Sequence, residues 1–464
     1  MKFGWKSRGI ATVLLCTGGW VTSADAAPGD HIRVGDAVIT PSLSSGFEYH
    51  SNIYLADGSG SSTAVPGFSW GIAPRFDLDL DGPDVQMNMN FGWTPKFFID
   101  PDPNDDFVLS NANKWTDLGA GLGIHALNRN LLGLRLDDKF EIINTPAELQ
   151  TAAGGVNVNF IHLSNDLNGG VEIHPGSALQ IGVLGNYGFD RYTVPDALVE
   201  NSSLNNRSNY GPALDFRWKF LPKTSVIGMA SVTWLRWDNN LIEAIGPEVD
   251  GVDYGEYLGK PNAMSWRTQW GLRGQLTDRI AATAEVGYGQ MYYDEESVLE
   301  DAASQTDVVA GSSEELDTSG EESFARDLTG FGEGLTVNAQ IAFAPIRGHT
   351  FTTGYRKDFQ DAFFTNYVVY NYLFLRYEGL FATRFGLQGE ITYRLDQFHG
   401  EVSRGDQNLK IKLNGAYRFN DWLSASVGGG WMERACIDDE CEGGQFFATQ
   451  YDDFYGQAGI TLTY

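Results

Sequence analysis

The sequence predicts an all-β fold, a transmembrane up-and-down antiparallel β-barrel of about eighteen strands. Three observations predict it: apolar and polar residues alternate with period two, short and long connections alternate, and the last strand ends on an aromatic residue. Such alternation gives each strand one apolar and one polar face, which suits lipid outside a barrel and water inside it. A closed barrel also leaves no sheet edge unpaired in hydrocarbon.

The N-terminus has the features of a secretory signal peptide over residues 1–26. A basic segment (residues 2–8) precedes an apolar stretch (residues 9–21) that is too short to cross a bilayer. Residues 24–26, Ala-Asp-Ala, supply the small residues of a cleavage site. We therefore expect export across the inner membrane, with residues 27–464 forming the mature outer-membrane barrel.

Composition and spacing argue against several classes of function. The chain has 60 acidic and 32 basic residues, a net charge of −28, whereas nucleic-acid binding requires a basic surface. The seven histidines have no metalloprotease spacing, and no phosphate-binding loop occurs. No catalytic constellation stands out, so the sequence predicts neither an enzyme nor a resident cofactor.

A hairpin near the N-terminus shows the strand pattern clearly. Between residues 68 and 80 the even positions are apolar, while the odd positions include Arg75 and Asp77. Between residues 85 and 93 the odd positions are apolar, and Asp-Gly-Pro at 81–83 predicts a tight turn. Each half is long enough for a tilted strand to cross a bilayer.

The same alternation continues along the chain and gives the strand count. Short turns alternate with longer polar segments, as periplasmic turns alternate with extracellular loops in barrels. We count about eighteen strands, beginning near residues 41–50 with a strand that rises from the periplasm. Segments near 156–173, 225–237 and 366–378 are ambiguous in phase, so sixteen strands is the alternative.

The chain ends on a strand with one apolar face. Residues 457–464 alternate apolar residues with polar or small ones and finish on Tyr464. This pattern resembles the C-terminal insertion signal of bacterial outer-membrane β-barrels. The resemblance implies the outer membrane of a Gram-negative bacterium, with outer-membrane lipids and the barrel-assembly machinery as partners.

Polar side chains opposite the apolar faces are predicted to line the lumen. Basic and acidic residues occur there in similar numbers, which predicts a hydrophilic passage of mixed charge. The alternative is that these charges only brace the barrel wall. The predicted pore-lining residues are Arg75, Asp77, Arg135, Asp137, Lys139, Arg217, Lys219, Arg267, Arg273, Glu285, Arg356, Arg394, Lys410, Lys412 and Arg418.

Two features belong to the predicted extracellular loops. The longest loop, residues 293–330, holds twelve acidic residues and one arginine between 294 and 327. We expect a solvated, loosely ordered loop, with a weak Ca²⁺ site on its carboxylates or a plug folded into the lumen as alternatives. Cys436 and Cys441 lie in one loop and predict a disulfide bond in an oxidising compartment, with a metal site as the alternative.

The first strand carries a further resemblance. Residues 46–55, Gly-Phe-Glu-Tyr-His-Ser-Asn-Ile-Tyr-Leu, look like the opening of an outer-membrane β-barrel family common in exopolysaccharide gene clusters. Members begin with an aromatic strand and an Asp-Asn-apolar step, and here Ser51 stands where Asp is usual. The resemblance implies a conduit for polysaccharide, with the polysaccharide and a periplasmic polysaccharide export protein as candidate partners.

Three functions follow from these patterns. The leading hypothesis is a passive outer-membrane channel for export of exopolysaccharide or capsule. The first alternative is a porin or a substrate-specific uptake channel for small solutes. The second is a structural or adhesive barrel with a closed lumen. Pore conductance separates the two channels from the closed barrel, whereas the direction of transport and the substrate are not readable from the residues.

Overall fold

The computed structural model describes most of the chain after residue 30. The described residues are 31–52, 66–99, 116–127, 130–143, 161–193, 206–238, 241–243, 257–259, 261–294, 327–362, 367–399, 404–437 and 450–464. The predicted signal peptide (residues 1–26) lies outside them and stays a prediction.

Strands dominate the described residues. The first half of the chain contains β1 (Ile32–Val34), β2 (Ala37–His50), β3 (Gly67–Asp81), β4 (Val85–Ile99), β5 (Thr116–Ala126), β6 (Leu132–Ile143), β7 (Ile161–Ile173), β8 (Leu179–Thr193), β9 (Arg207–Leu221) and β10 (Thr224–Trp237). The second half contains β11 (Leu241–Glu243), β12 (Tyr257–Gly259), β13 (Asn262–Gln275), β14 (Ile280–Asp294), the short helix α1 (Phe331–Gly334), β15 (Leu335–Phe343), β16 (His349–Asp361), β17 (Tyr367–Phe381), β18 (Phe385–His399), β19 (Arg404–Arg418), β20 (Leu423–Cys436) and β21 (Tyr451–Thr463).

Eighteen of these strands, β2–β10 and β13–β21, form one closed antiparallel barrel. Each of the eighteen strands pairs with the next barrel strand along the chain, β10 with β13 included, and β2 closes the ring by pairing with β21. In that seam Ser42 lies opposite Thr463 and Gly46 lies opposite Gly459. The predicted fold class and the count of eighteen strands are therefore confirmed. The first barrel strand begins at Ala37, a little before the predicted start.

The two ends of the barrel differ in their connections. At one end consecutive strands are joined by short turns, such as 82–84 between β3 and β4 and 222–223 between β9 and β10. Gly348, in the turn before β16, has a φ of 86°, a conformation that glycine adopts without steric cost. The opposite end carries the longer connections. By the rule for outer-membrane barrels the short-turn end is periplasmic and the other end is extracellular.

The outer surface is largely apolar. Its side chains are about half exposed, for example Leu134 and Trp270 at 50% and Val427 at 65%. Alternate residues of the same strands point inward, so a polar lumen and an apolar exterior come from one sequence pattern. A closed barrel with this exterior belongs in the outer membrane of a Gram-negative bacterium. No helix among the described residues is long and apolar enough to span a membrane.

Candidate functional site

The barrel lumen is the candidate site, and contacts between non-neighbouring strands identify its wall. Arg135 on β6 donates from Nη1 to Asp215 Oδ2 on β9 at 3.2 Å, passing over β7 and β8. Arg267 on β13 donates from Nη1 to Asp358 Oδ1 on β16 at 3.3 Å, passing over β14 and β15. Side chains on the concave face alone can make such contacts.

All fifteen predicted pore-lining residues occupy this inner face, judged by their alternation with the exposed apolar residues. On β6, for instance, Arg135 and Asp137 alternate with Leu132 and Leu134, which are 53% and 50% exposed. On β19, Lys410 and Lys412 alternate with Ile411, which is 40% exposed. That these residues line a conducting passage stays a prediction.

Several of the predicted residues form one polar network near the periplasmic end. Arg135 Nε donates to Asp137 Oδ2 at 2.5 Å, and Glu172 lies 3.9 Å from Arg135 Nη1. Beside this network is a cavity of about 660 Å³ that Arg217 and Lys219 also line. The predicted mixture of charges is therefore arranged locally as close pairs, which keeps the wall polar with little net charge.

Among the described residues, the tip of the β16–β17 hairpin obstructs part of the lumen. We call residues 358–361 and 367–370 the lumen hairpin. Arg207 on β9 donates from Nη1 to Asp361 Oδ2 at 2.7 Å, and its Nε donates to Asp190 Oδ2 at 2.7 Å. Since β9 and β16 are five strands apart around the barrel, this ion pair ties the hairpin tip to a distant part of the inner wall.

An apolar cluster packs the lumen hairpin against the inner face of the barrel. Phe359 and Tyr367 from the hairpin are 1% and 0% exposed, and they pack with Leu235 and Trp237 on the inner face of β10. Lower on β16, the face of the strand that carries Phe359 points toward the membrane, as the exposed Phe351 shows. At the tip this same face packs against the inner wall formed by β10. The hairpin must therefore lean into the lumen.

A short strand makes room for this bend. β15 has nine residues, whereas its neighbours β14 and β16 have fifteen and thirteen. Because β15 is short, residues 327–334 complete the barrel wall at its extracellular end. Leu328, which is 0% exposed, forms a bridge with Met291 on β14. Tyr367 Oη donates to Glu333 Oε2 at 3.0 Å and joins the hairpin to α1.

The predicted loop 293–330 needs correction at both ends. Tyr293 and Asp294 are the last residues of β14, and Leu328 belongs to the apolar cluster rather than to a solvated loop. The apolar side chain at 328 decides this, because its burial against Met291 removes it from water. Residues 295–326 lie outside the described residues, so the predicted Ca²⁺ site there and a plug made by that segment stay predictions.

A second cavity, of about 260 Å³, lies on the other side of the lumen hairpin. Its lining includes Gln360 and Val368 of the hairpin and side chains from β17 to β21. Arg394 Nε donates to Asp396 Oδ1 at 2.5 Å, and Lys412 also lines this cavity. Lys412 forms no ion pair with a described residue, so it adds positive charge to the passage.

Sequence reasoning missed the most buried charges of the lumen. Asp406 is 0% exposed and accepts a hydrogen bond from Arg404 Nη2 at 3.0 Å and another from Arg434 Nη2. Arg207 and Asp361, which anchor the hairpin, were missed as well. These residues are brought together by contacts between strands that are far apart in sequence. The residue pattern within a single strand does not reveal such contacts. One signal was available: Tyr-Val-Val-Tyr at 367–370 is apolar on both faces of its strand, as strands buried on both sides are.

Metal and disulfide predictions have separate outcomes. Within the described ranges, no group of three or more His, Cys, Asp or Glu side chains is arranged to hold a metal ion. Cys436 at the end of β20 is disulfide-bonded. Cys441 lies outside the described residues, so the pairing of Cys436 with Cys441 stays a prediction.

Comparisons with known proteins give structural likeness only. No family model and no curated protein matches the chain. Similar solved structures include OccAB3 from Acinetobacter baumannii (12% identity, 93% of this chain and 100% of that chain, TM-score 0.43). Others are a BenF-like porin from Pseudomonas fluorescens Pf-5 (10%, 93% and 100%, 0.43) and Pseudomonas aeruginosa OpdK with vanillate (11%, 92% and 99%, 0.44).

Proposed function

We propose that this protein is a passive outer-membrane channel for small hydrophilic solutes. The observation that carries the proposal is the lumen hairpin, which leans across the extracellular half of the barrel and is held to β9 by the Arg207–Asp361 pair at 2.7 Å. An eighteen-stranded barrel without such an obstruction would leave a wide aqueous passage. With it, solutes have to pass beside the hairpin.

The hairpin is docked as a packed element. Phe359 and Tyr367 are almost completely buried, and Arg267 lies over the Phe359 ring at 4.7 Å from its centroid. Undocking it would expose these apolar side chains to the aqueous lumen, at about 25 cal/mol for each Å² exposed. The passage is therefore narrow in the resting state of the channel, which favours small solutes over a polymer chain.

The barrel wall beside the hairpin carries side chains that can form hydrogen bonds with passing solutes. Arg376 Nη2 donates to Glu390 Oε1 at 2.7 Å, and Arg394 pairs with Asp396, so these charges largely cancel. Lys412 lies directly opposite Glu390 on the neighbouring strand and leaves a small positive excess. Weak, distributed contacts of this kind let solutes enter and leave, and the excess favours anions modestly.

Polysaccharide export, implied by the resemblance at residues 46–55, is the second candidate. It requires a passage that admits a polymer chain, and the docked hairpin narrows the passage. We therefore propose a channel for small solutes, a porin or a substrate-specific uptake channel, in place of the export conduit. The closed structural barrel remains the third candidate.

Liposome swelling with sugars of increasing size tests the proposal. We expect proteoliposomes containing the full barrel to swell quickly in a monosaccharide, slowly in a trisaccharide and not in maltoheptaose. Equal rates for the monosaccharide and maltoheptaose would favour the polysaccharide conduit. Failure to swell in any sugar, together with no ion conductance in a planar bilayer, would favour the closed barrel.

A further inference from the structure

Two aromatic rings lie on the inner wall, on the periplasmic side of the lumen hairpin. Tyr372 and Phe374 on β17 flank Leu373, which is 50% exposed on the membrane face, so both rings point inward. Their ring centroids are 5.8 Å apart and their planes differ by 29°. We call this pair the ring platform. It offers apolar surface to an otherwise hydrophilic passage.

The backbone beside the ring platform makes room for it. Gly354 on β16 lies opposite Phe374, and a side-chain carbon added at Gly354 would lie 2.5 Å from Cε1 of the Phe374 ring. The ring therefore extends sideways over Gly354 and rests along the wall instead of projecting across the passage. Tyr370, the inward ring that precedes Tyr372, is covered by the Arg394 guanidinium, 4.4 Å from its centroid. The platform therefore ends at the hairpin.

Polar and charged side chains surround the ring platform. Tyr372 lines the cavity of about 260 Å³ beside the hairpin, together with Glu390 and Thr392 of β18. In the register of β17 and β18, Tyr372 lies opposite Arg394 and Phe374 lies opposite Thr392. Carboxylate, hydroxyl and guanidinium groups supply both hydrogen-bond donors and acceptors. The cavity is slightly smaller than pockets for drug-sized ligands, which fits a solute of one ring.

We propose that the ring platform and the polar groups around it form a saccharide subsite, which sugars occupy as they pass the hairpin. This inference rests on the proposed channel function. A pyranose ring has faces of C–H groups and a rim of hydroxyls. A C–H face packs against the aromatic rings, and the hydroxyls exchange hydrogen bonds with Glu390 and Arg394. These two charges are themselves paired, with Arg376 and Asp396, so the subsite suits a neutral sugar better than an ion.

Block of the ion current in planar bilayers tests the subsite. Methyl glucoside, which has a closed pyranose ring, is compared with sorbitol, an open-chain polyol of similar size. We expect methyl glucoside to lower the current through the full barrel until the effect saturates, because it occupies a site. Sorbitol should lower the current only in proportion to its concentration. Equal and non-saturating effects of the two solutes would overturn the subsite, while the measured current would still support the channel.

Leucine substitutions on β17 locate the binding. Tyr372→Leu and Phe374→Leu each remove one ring face, and each should raise the half-blocking concentration of methyl glucoside by about 2- to 10-fold. The matched control is Phe381→Leu on the membrane-facing side of β17, where Phe381 is 39% exposed, and it should leave that concentration unchanged. Heat-modifiable gel migration checks that each variant folds.

The outcomes separate the subsite from the channel itself. A half-blocking concentration that is unchanged in both Tyr372→Leu and Phe374→Leu, or that rises equally in Phe381→Leu, would overturn the subsite alone. The comparison of methyl glucoside with sorbitol uses the unmodified chain, so it decides the question without any variant. An unmodified barrel that conducts no ions would refute the channel function and the subsite together.

Discussion

Phe359→Ala should release the lumen hairpin and widen the passage. The ring of Phe359 is 1% exposed, in the apolar cluster that joins the hairpin to β10, β13 and β14. It also supports the Arg267 guanidinium, 4.7 Å from the ring centroid. Truncation to alanine removes both contacts and leaves the Arg207–Asp361 and Arg267–Asp358 ion pairs as the charged anchors of the hairpin.

The size of the effect follows from burial and from barrel geometry. Replacing a fully buried phenylalanine with alanine costs about 3–5 kcal/mol, which shifts the docked-to-undocked ratio by ~10²- to 10⁴-fold. Eighteen strands spaced ~4.8 Å apart and tilted ~40° give a backbone radius of about 18 Å and, after side chains, a lumen of roughly 450 Å². A two-stranded hairpin one layer thick occupies roughly 100 Å² of it, so undocking should raise conductance by about a quarter.

Single-channel recording in planar bilayers measures this change. The matched control is Phe351→Ala, which removes the same ring from the membrane-facing side of the same strand, where Phe351 is 43% exposed. We expect Phe359→Ala to raise the conductance and Phe351→Ala to leave it unchanged. If both variants conduct like the unmodified barrel, the hairpin does not obstruct the ion path and the proposed constriction is wrong.

Three further predictions follow from the wall and the loops. Lys412→Glu should move the reversal potential in a salt gradient toward cation selectivity, and an unchanged potential would place the ion path elsewhere. Leu134→Arg on the membrane face should lower the free energy of unfolding in lipid by about 2–4 kcal/mol. Asp137→Asn, which weakens a partly exposed ion pair, should lower it by less than about 1 kcal/mol. The reverse order in urea titrations would mean that β6 is turned the other way. Mass spectrometry of the isolated protein should find Cys436 linked to Cys441, and two free thiols would contradict this.

Much of the fold was predictable because a membrane barrel is a repetition of local rules. Alternation along each strand sets its inner and outer faces, and turn residues set where a strand ends. The C-terminal strand has the same alternation up to Tyr464, and it closes the barrel against β2. The approximate strand count, the closure and the outer-membrane location needed no knowledge of contacts between distant residues, whereas the choice of eighteen over sixteen strands came from the observed pairing.

The sequence left the inward and outward faces ambiguous in three segments, near residues 156–173, 225–237 and 366–378. In these segments the alternation of apolar and polar residues is interrupted. β10 carries Leu235 and Trp237 on its inner face because it packs against the lumen hairpin. The side of β17 that carries Tyr367 is buried because this part of β17 belongs to the hairpin and packs in the same cluster. On β7 the outward residues include Asn165, whose amide donates to Asp138 Oδ1 on β6, and Gly169, which has no side chain. The contrast between a lipid face and a water face is therefore weak in these three segments.

The sequence by itself therefore determined an outer-membrane barrel of about eighteen strands, with sixteen as the alternative, and a charged inner face, because period-two alternation is a property of each strand alone. Only the tertiary structure decided that the β16–β17 tip leans inward, that Arg207 holds Asp361, and that Asp406 is buried between two arginines. The physical reason is that these contacts join strands far apart around the ring. The geometry of these contacts depends on the curvature of the closed barrel and on the short length of β15. Neither can be read from the residue pattern of a single strand.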